Sequence, residues 1–465
     1  MARQCEASHC SAADPEINSI CKSEGWPIGH PVLTRDSNGI CQCQCSCFAL
    51  NTPISIGKNQ EKVIQDFVNG DEVLAAGIDL NWIKKKVKFS QGTKGNSKQP
   101  FTIYIEFGDE QYLIVTSDHL FLMPDGSLKR ADKLTTEDNL VSPNGDSIHI
   151  NGVEIGDFYG GFHHIATDTT KPDKNLDGHL IIANGVVSAD YAVQLYYAHE
   201  EIDSSLLSKD SDDAPFVGSE EYRERYERPT NLKINKYAPS VFGVSDNSQP
   251  VFVPLEKSSI QRPKDALGFF SDAESKKITA AVSKRGFTDP FSQAWTEYLF
   301  TQFKAFYPNV TYLLDWSDDN VNAYAWVDKG VRYVEILGGM VRAQPIEIEG
   351  LALVIAHELG HHYGGAPTYP NGLSCEGQAD YYGANNIMRV TWFGEYYVSM
   401  MEKAIVQLGN LLGHGSKNKE EIMKAAFLPE TMEKVGAGCS HPPAACRIAT
   451  YNAAVDLKAK PACAG

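Results

Sequence analysis

Nowhere in this chain of 465 residues does an uninterrupted apolar run approach bilayer-crossing length. A spanning helix needs about 20 such residues, so no membrane span is expected. Positive charge is also short: Lys and Arg total 42 against 59 Asp and Glu, a net charge of −17. Nucleic acid and anionic membrane surfaces are bound by clustered Lys and Arg, so neither is expected as a partner. The one basic run, Lys84-Lys85-Lys86-Val87-Lys88, reads as a solvated strand edge. No internal repeat is visible. The opening Met1-Ala2-Arg3-Gln4 lacks a secretory-signal pattern, which suggests a processed or re-engineered terminus or another export route. Apolar content of 42% is ordinary for globular protein, and this length predicts about two to three domains.

Cysteine is scarce through the middle and dense at both ends. Seven of the 11 cysteines fall at positions 5, 10, 21, 41, 43, 45 and 47, and the others are Cys375, Cys439, Cys446 and Cys463. Such flanks read as disulfide-stapled segments made outside the cytosol, so the expected localisation is secreted or periplasmic. Cys439 and Cys446 are placed to close a loop around His441. An odd total leaves one thiol over, with Cys47 the candidate. The other reading of Cys41-x-Cys43-x-Cys45 is a metal site, although its spacing departs from the common CxxC. The sequence of this Cys-rich head, residues 1–46, does not name its partner.

Val354-Ile355-Ala356-His357-Glu358-Leu359-Gly360-His361-His362-Tyr363 carries the HExxH spacing. Histidines four residues apart share one helix face and can clamp one Zn²⁺, leaving Glu358 beside the open position to take a proton. A helix with surface histidines is the plainer alternative, but the apolar stretch Leu351 to Ile355 argues for burial. Downstream, Ser374-Cys375-Glu376-Gly377-Gln378-Ala379-Asp380 offers Glu376 as a third ligand and, one turn later, Asp380 to orient a ligand histidine. His362 lies about 100° around the helix from His361, which favours packing over ligation. Tyr363, Tyr381 and Tyr382 read either as oxyanion donors or as core aromatics. Asn322 to Trp326 and Arg332 to Leu337 alternate as two strands, and helices are expected over Ser271 to Ser283, Asp289 to Phe306 and Tyr396 to Leu412.

Residues from about 290 to 455 resemble the gluzincin family that contains the CAAX prenyl proteases and their soluble relatives. An Asn-Ala strand, HELGH, EGQAD and a late Ser440-His441-Pro442-Pro443 with Arg447-Ile448 carry the likeness, with Ser440 where the family has Thr. The resemblance implies His357, His361 and Glu376 on zinc, Glu358 as general base, and His441 or Arg447 near substrate or oxyanion. It also implies a sheet edge that holds a peptide substrate. A plain turn before two prolines is the other reading of His441. The membrane-embedded members do not transfer, so a soluble enzyme acting on polypeptide substrates fits better.

The first half resembles Hint domains, the fold of hedgehog autoprocessing modules and inteins, over about residues 47 to 195. Cys47-Phe48 with Thr52-Pro53-Ile54 and Asn69-Gly70-Asp71, then Val115-Thr116-Ser117-Asp118-His119, then His179 to Val187 with Asn184-Gly185, carry the likeness. The resemblance implies attack by Cys47 on the carbonyl of Ser46, assisted by Thr116 and by His119 as general acid. The alternative is that Cys47 is the last thiol of an oxidised run. Where inteins end in His-Asn before Cys, Ser or Thr, this chain reads Ser188-Ala189-Asp190-Tyr191, so cleavage is expected at most, not splicing.

Residues 199–262 hold Glu200-Glu201, Asp210-Ser211-Asp212-Asp213 and Glu220-Glu221. That composition predicts an extended spacer, with a propeptide-like arm across the zinc cleft as the alternative. The expected organisation is multidomain: a Cys-rich head (1–46), an all-β Hint domain (47–198), the linker (199–262) and an α+β gluzincin metalloprotease domain (263–465). The expected function is zinc-dependent endopeptidase behind a Hint module equipped for self-cleavage at Ser46–Cys47, as in secreted effectors that place Hint domains ahead of degradative enzymes. The alternatives are an autoprocessing protein whose protease-like domain serves for binding, and an interaction protein in which both domains are structural.

Overall fold

The computed structural model describes residues 47–93, 98–198, 203–208, 214–228, 250–255, 261–413 and 439–465, with short pieces before residue 44. Expectations for Ser46, for the head cysteines and for the Asp210 to Asp213 cluster lie outside the described residues. The chain divides into two units, Met1–Leu255 and Glu256–Gly465.

The first unit is built from β-strands. Its long strands Lys98–Phe107 and Ser147–Tyr159 pair antiparallel, with Ile103 opposite Ile155, and residues 101 to 107 are buried. Burial on both faces suits the β-branched and aromatic content of that stretch. On the far side, Lys98–Phe107 pairs with Gln111–Thr116, which pairs in turn with Phe48–Ala49. Phe48–Ala49 also pairs with Phe162–Ala166, so a strand from the start of the module lies between two much later ones. A second sheet contains the hairpin Leu180–Ala183 and Val186–Ala189. Its turn is Asn184-Gly185, both at positive φ (47° and 83°), the geometry that lets a two-residue loop follow the strand twist. The basic strand Ile83–Lys86 is exposed along its length.

Described pieces of the acidic segment are packed on this unit. Leu206, Val217, Tyr222, Val251 and Phe252 are buried, and Val251–Pro254 pairs with Ser147–Tyr159. A few apolar residues suffice to add an edge strand even where average composition is acidic, which the composition-based expectation of a spacer overlooked.

The second unit places helices around a four-stranded sheet in the order Leu267–Gly268, Ala323–Asp328, Val331–Leu337, Val310–Asp315. Helix Asp272–Ala281 starts on a capping box formed by Ser271 and Glu274, and Pro290–Phe306 starts with an Asp289 cap. Helix Ile348–Tyr363 is buried from Glu349 through His361. Helix Glu376–Tyr382 crosses it closely: a Cβ on Gly360 would lie 2.5 Å from the Ala379 carbonyl oxygen. Helices Glu395–Leu412 and Ala444–Val455 also belong to this unit.

Among the described residues, two disulfides join Cys375 to Cys439 and Cys446 to Cys463. The expected Cys439–Cys446 closure is therefore corrected. Cys439 reaches the residue before the Glu376 helix, while Cys446 meets the C-terminal turn Ala462–Ala464. No helix among the described residues is long and apolar enough to cross a membrane.

Candidate functional site

His357 and His361 project from the buried helix, and the Gly360 crossing brings Glu376 to them. One ligand atom from each of the three lies within 4.8 Å of the others, and all three residues are buried. The imidazoles are oriented from behind. His357 Nδ1–H donates to Asp380 Oδ1 at 2.8 Å, and His361 Nδ1–H donates to the Ser374 carbonyl at 2.7 Å. Both Nε2 atoms therefore turn toward Glu376, at 3.4 Å and 3.7 Å from its oxygens. These two nitrogens, Glu376 Oε2 and both Glu358 oxygens are buried without a hydrogen-bond partner among the described residues. Each such atom costs about 1–3 kcal/mol if left unsatisfied. Two imidazole nitrogens and a carboxylate are donors that a zinc ion satisfies, so these residues fit the metal.

A polar shell supports the trio. Asp380 accepts from Arg447 Nη2 (2.7 Å), Arg447 Nε (2.9 Å) and Tyr451 Oη (2.6 Å). Arg447 Nη1 donates to the Phe269 carbonyl at 2.7 Å. The Arg447 guanidinium is thus committed inside the protein behind His357, not held ready for an oxyanion. His441 Nε2–H donates to the Gly268 carbonyl at 2.7 Å and stands 3.5 Å from Glu376 Oε2. The Tyr369 hydroxyl donates to the Cys439 carbonyl, with its oxygen 3.2 Å from Glu376 Oε1. His362 donates to the Tyr333 carbonyl, and the Tyr381 hydroxyl to that of Lys458, so neither faces the trio. The Tyr363 ring packs 5.1 Å from Tyr307.

Burial drives the two central carboxyls upward, with different outcomes. Burial pushes Glu358 up to about 8. For Glu376 the same burial is outweighed by His361 and His357, which hold it down to about 2.

In the first unit, strand pairing assembles a second cluster. Cys47 donates its backbone N–H to Thr116 Oγ1 at 3.0 Å, and its Sγ stands 2.9 Å from His164 Nδ1. The His164 ring stacks on Tyr191 at 4.3 Å. His119 packs edge-on against Phe48 at 4.2 Å, with its Nε2 at 2.8 Å from Ser188 Oγ. Complete burial lowers its pKa to about 3, so the imidazole is neutral at ordinary pH. Asp190 caps helix Tyr191–Ala198 by accepting from Ala192 N–H at 3.0 Å and pairs with His179 at 3.1 Å.

Sequence reasoning passed over His164, Ser188, Tyr369 and Tyr451. Tyr451 had a signal, being one helical turn after Arg447. His164 had only a histidine pair in an otherwise apolar strand.

No family model matches this chain, and no curated protein matches it. Among solved structures, it is similar to a bacterial intein-like domain from Clostridium thermocellum, with 20% identity, 32% of this chain and 100% of that one covered, and a TM-score of 0.27. It is also similar to a DnaB intein from Synechocystis sp. PCC 6803 (16% identity, 31% of this chain and 99% of that one, TM-score 0.26). The gp41-1 intein shares 18% identity over 32% of this chain and 100% of its own, with a TM-score of 0.25.

Proposed function

We propose that the unit Glu256–Gly465 is a zinc-dependent endopeptidase exported to an oxidising compartment. The observation that carries the reading is the convergence of His357, His361 and Glu376, with Glu358 beside them and, among the described residues, no competing partner for its carboxylate. A bound zinc supplies Lewis-acid polarisation and lowers the pKa of water. The chain supplies the rest. His357 and His361 are held as Nε2 donors by Asp380 and the Ser374 carbonyl. Glu358 takes the proton of the attacking water and passes it to the leaving amide nitrogen. Polypeptide is the substrate class. The test is Glu358→Gln, which removes the base and leaves all three ligands: bound zinc stays and peptide hydrolysis is lost. A binding module that merely resembles a protease would be indifferent to this change.

A second chemistry is proposed for the unit Met1–Leu255, a Hint-like module that cleaves at Ser46–Cys47. The 2.9 Å approach of Cys47 Sγ to His164 favours it. His164 takes the thiol proton as sulfur attacks the Ser46 carbonyl. The Ser46–Cys47 carbon–nitrogen bond then breaks, and the Cys47 nitrogen leaves as the amine with the proton that His164 took from the thiol. Water hydrolyses the resulting thioester and returns the thiol. His164→Ala should slow cleavage strongly, and Cys47→Ala should abolish it.

A further inference from the structure

Strand Ala323–Asp328 has Val331–Leu337 on one side, and its other edge carries, among the described residues, only the two-residue strand Leu267–Gly268. The register is antiparallel, Leu267 opposite Ala325 and Gly268 opposite Tyr324. Phe269 N–H extends the ladder by donating to the Ala323 carbonyl at 2.9 Å. The carbonyls of this short strand are held by side chains: Gly268 O by His441 Nε2 and Phe269 O by Arg447 Nη1, both at 2.7 Å. The Phe269 ring lies edge-on 4.9 Å from the candidate ligand His357. The fit is close, since a Cβ on Gly268 would stand 2.9 Å from both Phe270 O and Tyr324 Cε1.

Upstream of Gly268 the chain turns onto the outer face of the sheet. Side chains of successive strand residues alternate faces, so Tyr324 and its cross-strand partner Glu335 lie opposite the buried Ala323 and Ala325. There Arg262 stacks 3.7 Å over the Tyr324 ring and donates to Glu335 Oε2 at 2.7 Å, with Asp318 at 3.7 Å. Residues 261 to 267 are exposed or half-buried, whereas Phe269 and Phe270 are core. The segment therefore has a fastened outer end, a removable middle and a fixed inner end.

We propose that Arg262–Gly268 is an intramolecular strap that fills the sheet edge of Ala323–Asp328 and must leave it before an extended polypeptide substrate can lie there. The proposal rests on the endopeptidase reading of the same site. Extended peptides bind exposed sheet edges through main-chain hydrogen bonds, with affinity independent of most side chains. In the strapped state that edge is filled and the His441 donor is engaged by Gly268. An incoming strand takes over the edge as the strap peels back toward Phe269, which stays in the core.

The test compares peptide binding by two full-length, zinc-loaded chains without hydrolysis: Glu358→Gln, and Glu358→Gln with Arg262→Ala. A fluorescent unstructured peptide is followed by anisotropy, and zinc content and melting temperature are recorded for both chains. Losing the stacked, ion-paired anchor should tighten binding about fivefold. Glu335→Gln, which weakens the same anchor from the other side, should act in the same direction. A synthetic peptide of residues 261–270 should compete. Equal or weaker binding by the unfastened chains, with zinc and folding intact, overturns the strap. Hydrolysis is read separately in chains that keep Glu358. Tighter binding without any Glu358-dependent hydrolysis leaves the strap and overturns the endopeptidase reading.

Discussion

Asp380 Oδ1 lies 2.8 Å from Nδ1 of His357, and the same carboxylate is gripped by Arg447 and Tyr451. One buried anion thus fixes the tautomer of a candidate ligand and neutralises a buried guanidinium. Despite burial, Arg447 and His357 hold its pKa well below the usual carboxylate range. Asp380→Asn keeps the shape and removes the charge. It should weaken zinc affinity about 10- to 100-fold, as loss of a ligand-orienting partner does. It should also destabilise this unit by about 3–5 kcal/mol, because Arg447 is left buried and unpaired. Chelator competition and denaturant unfolding measure the two effects, and an unchanged zinc affinity would remove Asp380 from the ligand-orienting role.

The Cys375–Cys439 disulfide ties the residue before Glu376 to the segment that carries His441. Cys375→Ser with Cys439→Ser should cost about 2–4 kcal/mol. Zinc should stay, since none of the three candidate ligands belongs to the bridge. Without reductant, a thiol probe on the denatured chain should label about one cysteine, with the other ten paired. Labelling of most cysteines would contradict assembly in an oxidising compartment.

Cleavage at Ser46–Cys47 should divide the 465 residues into pieces of 46 and 419 (465 − 46). Dithiothreitol should speed it by intercepting the thioester. His119→Ala should slow it, and neither His119→Ala nor Cys47→Ala should alter zinc content. Intact-mass spectrometry reads the result. A single unchanged species after a day with dithiothreitol would leave the module as a scaffold.

Acid should destabilise the first unit through its buried histidines. Burial holds His119 at about 3 and His163 at about 4, both below the usual value of 6.5. As pH falls from 6.5 toward 3 the unfolded chain takes up protons that the folded chain refuses. Stability is therefore present above 6.5 and lost progressively below it. For His119 the loss is on the order of a few kcal/mol across that window. His119→Gln should flatten the dependence of unfolding free energy on pH between 6 and 4, and a slope unchanged by that substitution would refute the assignment.

The convergence of His357, His361 and Glu376 was legible because helices convert spacing into geometry. His357 and His361 share a face by period alone, and Glu376 and Asp380 are a turn apart on the next helix. The Cys47 cluster was only half legible. Thr116 and His119 sat in a local block, whereas His164 is 117 residues from Cys47 and arrives by pairing of Phe162–Ala166 with Phe48–Ala49. Arg447 was visible as a residue but not as a partner of Asp380, because that contact spans 67 positions. The packed pieces of the acidic segment were hidden for another reason: composition averages over the few apolar residues that anchor them.

The central claim is tested most directly by measuring bound zinc and hydrolysis of an unfolded polypeptide side by side. The chains compared are the native one, Arg262→Ala, and each of these with Glu358→Gln. The account predicts one zinc per chain in all four, hydrolysis in both chains that keep Glu358, faster with Arg262→Ala, and none in either Glu358→Gln chain. Full hydrolysis by the Glu358→Gln chains, or a native chain that binds no zinc, would contradict it.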